Sequence, residues 1–136
     1  MTLLHASLAH AFADYVRLPV DQVEDGRARS VTLEGGLALE FIWVAEVPAL
    51  CLAMAVGQIL RASQDECLAG ALASNLYLAD VGAPHYALSP QQDTLYLCQT
   101  LSGDPFDASQ VGPAVDRLAE LARQARAGLL ERQSIA

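Results

Sequence analysis

Three cysteines, three histidines and the acid pair Asp65-Glu66 are the residues through which this chain could do chemistry. His5 and His10 fall on one predicted helix, five residues apart, so their side chains diverge by about 140° and cannot share a metal. Cys51, Cys67 and Cys98 lack metal-ligand spacing and read as small buried hydrophobes. His85 and Cys98 flank a predicted hairpin, so a thiol–imidazole pair could form across it, but the sequence offers no third residue to orient it. Asp65-Glu66 opens a predicted helix, where the macrodipole favours acids. Glu34-Gly35-Gly36 is a turn, with no phosphate-binding glycine pattern around it. The absence of lysine removes Schiff-base chemistry. The expectation is therefore no catalytic residue, no metal and no cofactor, with a small Cys/His enzyme as the weaker alternative.

Composition narrows the partners. The 136 residues are 53% hydrophobic and 18% charged, which is globular, and the expected organisation is one domain over residues 1–136. Net charge is −8, with arginine supplying all eight bases. Such a chain is repelled by phosphate backbones and anionic lipid, so nucleic acid is excluded as a partner. The longest uncharged run, Val47 to Leu60, is too short for membrane insertion. The first residues lack a basic region and a sustained apolar run, which argues against a signal peptide. An odd, unpaired set of cysteines fits a reducing cytoplasm.

The elements that must position any site follow from periodicity. Leu4, Leu8, Ala11, Phe12 and Tyr15 form one stripe of a helix over about residues 2–17, ended by Pro19. Strands are predicted at Arg29–Leu33, Leu37–Val44 and Ala49–Val56. Leu37, Leu39, Phe41 and Trp43 share one face of the second strand; Leu50, Leu52, Met54 and Val56 share one face of the third. A second helix spans Gln64 to Leu78, capped by Ser63 with Glu66. A hairpin follows, turning at Ser89-Pro90-Gln91-Gln92, with Leu95, Leu97 and Leu101 on one face of its second strand. The last helix runs from about Asp107 to Leu130, or restarts at Gly112-Pro113, and buries Val115, Leu118, Leu121, Ala122 and Ala125. The fold class is α+β in the order α-β-β-β-α-β-β-α, a twisted antiparallel sheet packed with three helices.

Two segments are apolar on more sides than one domain needs. The stretch Cys67–Ala79, CLAGALASNLYLA, carries no charge. With Leu68, Leu72, Leu76 and Ala79 turned to the core, Gly70, Ala73, Ser74, Tyr77 and Leu78 form a second surface of small and apolar groups. A helix apolar all round needs cover on both sides, and a second copy of the chain supplies it most simply, so these five residues are the expected homodimer interface. Phe41 to Val44 is also apolar on both faces, and Ala49, Cys51, Ala53 and Ala55 form a small uncharged row, suited to an interface or to a groove for an extended segment.

The stretch LASNLYLADVGAPHYALSPQQDTLYLCQTL, followed by an Asp-led terminal helix, resembles class I type III secretion chaperones of the Tir-chaperone-like family. Leu72, Asn75, Leu76 and Gly82 match that family's layout, while Val56-Gly57-Gln58-Ile59 and Gly112-Pro113 depart from it. The resemblance covers nearly the whole chain. It implies a homodimer in the cytoplasm of a Gram-negative bacterium that binds the N-terminal region of a secreted effector in extended form and keeps it soluble and secretion-competent. Face geometry and that layout together assign effector binding to Leu8, Phe12, Val31, Leu33, Ile42 and Val44. The alternative on the same fold is a regulatory or scaffold protein that sequesters a non-secreted partner or binds the secretion ATPase.

Overall fold

The computed structural model describes residues 3–60, 64–77, 83–89, 93–102 and 108–135, with side chains for all of these except 3–7, 20, 74, 76–77 and 131–135. The elements are helix α1 (Leu3–Tyr15), strands β1 (Arg29–Thr32), β2 (Ala38–Val44) and β3 (Ala49–Gln58), helix α2 (Gln64–Tyr77), strands β4 (His85–Ser89) and β5 (Thr94–Ser102), and helix α3 (Val111–Ile135). Two 3-10 turns, Val20–Gln22 and Ala108–Gln110, are additions to the expected order. The second of them places the start of α3 between the two expected positions, and Pro113 falls in its first turn, where no amide is needed. Ser63, Leu78, Gly82 and the turn residues 90–92 lie outside the described residues.

All five strands form one antiparallel sheet in the order β1-β2-β3-β5-β4. One face carries the expected alternation: Leu39, Phe41, Trp43, Leu50, Leu52, Met54, Val56, Leu95, Leu97 and Leu101 are all buried. The helices lay Leu8, Phe12, Val115, Leu118 and Ala122 against them, and the Phe12 and Phe41 rings meet edge-on with centroids 4.8 Å apart. Tyr15, expected on the inner stripe of α1, is 43% exposed, because the helix turns Ala9 and Ala13 inward instead.

The end of α1 is fixed by its backbone. Arg17 adopts a left-handed conformation (φ 61°), Leu18 N–H donates to the Ala13 carbonyl at 2.9 Å and Arg17 N–H to Asp14 at 3.2 Å. This is the pairing of a Schellman cap with arginine in the place glycine usually takes.

Helix α2 corrects the sequence reading. Cys67 is buried, and Gly70 and Ala71 are half-buried in a crevice against α3, whereas Leu72, assigned to the core stripe, is 69% exposed. The helix packs on β4 with its small residues turned inward, and that leaves Leu72 outside. Gly70 is therefore not on the outward face; Ala73 is, together with Ala69. Ser74 and Tyr77 lie on the helix, their side chains not described. None of the described helices is long and apolar enough to cross a membrane.

Candidate binding surface

The helix contacts fall on one face of the sheet, and the other face is built mostly from small and uncharged residues, with Glu40 and Tyr96 as exceptions. Register aligns Ser30, Glu40, Ala53, Cys98 and His85 in a single row across all five strands. A neighbouring row holds Ile42, Cys51 and Thr100; another holds Ala55, Tyr96 and Ala87. Because Cys51, Ala53 and Cys98 are short, the surface dips into a groove of about 470 Å³ lined by Ser30, Glu40, Ile42, Cys51, Ala53, Cys98 and His85, among others. Its exposed acid is Glu40.

This surface does place His85 directly opposite Cys98, as the hairpin suggested. The electrostatics run against a nucleophile, however. Burial pushes the Cys98 thiol up, and the neighbouring Cys51 and Glu40 push it further, so the thiolate that catalysis or metal binding requires is disfavoured. The phenol of Tyr96 is likewise raised by burial, then by Glu40. Among the described residues no three His, Cys, Asp or Glu side chains are grouped to hold a metal.

A second groove, of about 810 Å³, lies on the helix side of the same sheet edge, between the end of α1, the β1–β2 turn and α3. Val16, Leu33, Val115 and Ala119 line its floor; Arg17, Asp116, Glu120 and Arg123 line its rim. Tyr15 donates its hydroxyl to Asp116, and Arg123 donates to the Glu34 carbonyl at 3.2 Å while pairing with Glu120 at 3.8 Å. The Asp116 hydrogen bond, with lesser help from burial and charge, raises the Tyr15 phenol.

Between the two grooves runs the edge strand β1. Leu33 N–H donates to the Leu37 carbonyl at 2.7 Å, so by alternation Arg29, Val31 and Leu33 turn their backbone groups to β2, and Ser30 and Thr32 turn theirs outward. Among the described residues nothing pairs with those outward groups.

The six residues expected to bind a client do not form one surface. Leu8 and Phe12 are 1% and 0% exposed and belong to the core, a correction forced by the tight seating of α1 on β2. Val31 and Leu33 are half-buried on the helix-side flank of β1; Ile42 and Val44 are half-buried on the opposite sheet face. Sequence reasoning did not single out Ser30, Glu40, His85, Tyr15 and Asp116 for this surface. Strand alternation could have flagged Glu40, but the row it shares with His85 depends on a long-range register.

The profile of the Tir chaperone protein (CesT) family matches residues 7–126. The chain belongs to that family. Comparison with curated protein sequences returns no match. Among solved structures, a chain in the crystal structure of the ExsC–ExsE complex superposes with a TM-score of 0.70 at 15% identity, over 95% of this chain and 97% of that one. A chain of the HopA1–SchA chaperone–effector complex gives 0.68 at 18% identity, over 91% and 94%. A chain of the ExoT–SpcS complex from Pseudomonas aeruginosa gives 0.60 at 17% identity, over 91% and 98%. The α+β fold read from the sequence is thus the fold of these chains.

Proposed function

We propose that this chain is a cytoplasmic type III secretion chaperone that works as a homodimer, binding the N-terminal region of a secreted effector and keeping it soluble and competent for export. The observation that carries this reading is a largely apolar sheet face beside a β1 edge, both left open among the described residues, in a member of a chaperone family. An extended client segment adds to β1 through the outward groups of Ser30 and Thr32. Its alternate side chains then enter the two grooves that flank the edge, so main-chain pairing gives affinity and the grooves give selectivity. The chaperone–effector complex named for one structural neighbour supports such a partner. A homodimer is supported by the outward face of α2, where Ala69, Leu72 and Ala73 are exposed, in a stretch without charge. The net charge of −8 keeps such a protein dispersed.

The test is retention of a partner from the native cytoplasm by the tagged chain, followed by removal of the partner's N-terminal region. A secreted protein held through that region is the expected result. A partner that is never exported, or one retained equally well after the truncation, would overturn the reading in favour of a regulatory role on the same fold.

A further inference from the structure

The sheet has two outer strands, and the chain treats them differently. On β4 the register with β5 leaves Tyr86 and Leu88 as the positions whose backbone groups turn outward. At Tyr86 both groups are occupied by one side chain: Asn75 Nδ2 donates to the Tyr86 carbonyl at 3.1 Å, and Tyr86 N–H donates to Asn75 Oδ1 at 2.6 Å. A carboxamide carries one donor and one acceptor on neighbouring atoms, the same pair that a residue of an added strand would present. Asn75 therefore stands where the next strand would pair, and α2 carries it there.

We propose that Asn75 closes the β4 edge and so directs an incoming extended segment to β1, setting one added strand per chain. With Tyr86 occupied, Leu88 is left as the one outward position of a five-residue strand, too little for a ladder. On β1, Ser30 and Thr32 offer two consecutive outward positions. Exposed strand edges invite pairing by any extended chain, and a protein that must hold one client in one register gains from closing the edge it does not use. This choice of edge rests on the strand-addition reading above; the closure itself does not.

The first arm of the test is amide hydrogen exchange on the intact protein, which needs no variant. Tyr86 is expected to exchange at least about tenfold more slowly than Ser30 and Thr32; equal rates overturn the closure. In Asn75→Ala the protection of Tyr86 should fall by about tenfold, and Asn75→Asp, which keeps the acceptor for the Tyr86 amide but sets a carboxylate oxygen against the Tyr86 carbonyl, should keep only part of it. An unchanged Tyr86 amide in Asn75→Ala overturns the proposal. The second arm uses an alternating threonine–valine hexapeptide bearing a nitroxide, with paramagnetic broadening as the readout. In the wild type it should broaden Ser30 and Thr32 and spare Tyr86; in Asn75→Ala it should broaden both edges and bind twice per chain. Broadening at Tyr86 in the wild type overturns the proposal. Broadening at neither edge of the wild type but at Tyr86 in Asn75→Ala upholds the closure and instead removes the strand-addition reading.

Discussion

Tyr15 and Asp116, 101 residues apart, are joined by a hydrogen bond from the phenol to the carboxylate. That contact ties the last residue of α1 to the first turns of α3, beside Gly112, where a Cβ would come within 2.9 Å of the Tyr15 ring. The absence of a side chain at Gly112 is what lets the two helices approach.

Tyr15→Phe is expected to lower stability by about 0.5–1 kcal/mol at neutral pH, below the range for a buried bond to a charged group because the ring is partly exposed. The folded protein raises the Tyr15 pKa, so this contribution is fully present below the phenol's ordinary value, about 10, and is lost as pH rises through the higher folded value. Urea unfolding of both proteins at pH 7 and in strong alkali should show the difference shrinking; a constant difference would rule out the phenol as its source.

Phe12 and Ala53 separate core from groove. Phe12→Ala removes a ring that is 0% exposed and packed on Phe41, and should cost about 3–5 kcal/mol in chemical denaturation. Ala53→Arg projects a long side chain from the groove floor and should change stability by less than about 1 kcal/mol while abolishing client retention. Full retention by Ala53→Arg would show that the open face is not used.

Ala73→Glu places a charge on the outward side of α2. Light scattering should report a single-chain mass with an unchanged circular dichroism spectrum. A mass of two chains in the variant would move the interface elsewhere.

Cys98→Ser distinguishes holding from catalysis. The raised thiol has no evident use as a nucleophile, so client retention and export should match the wild type. Loss of either, with the fold intact, would bring the His85–Cys98 pair back as chemistry.

Period-two patterns made the sheet legible: Leu39, Phe41 and Trp43, and Leu50, Leu52, Met54 and Val56, are buried as their alternation requires. Helix α2 was legible as an element but not in its orientation. With no charge from residue 67 to 79, nothing local marks an inner side, and the choice of Cys67 over Leu72 was made by packing against β4. The candidate surface was half legible. Its small, uncharged row could be read strand by strand, but the line from Ser30 to His85 exists only because β5 inserts between β3 and β4, a pairing no local pattern encodes. Leu8 and Phe12 were read as surface because a helical stripe looks alike whether it meets a client or its own sheet.

That insertion also sets the order of events during translation. β3 emerges with β2 already made to pair one of its edges, yet the partner of the other edge, β5, begins only at Thr94, after α2 and β4 have been made. At about 5–20 residues per second the nascent chain carries a ten-residue β3 with that one edge unpaired for a few seconds. Ribosome-stalled chains ending before residue 94 should therefore be far more sensitive to protease along Ala49–Gln58 than chains that include β5. A member of a chaperone family thus passes, at its own birth, through an interval with one strand edge exposed.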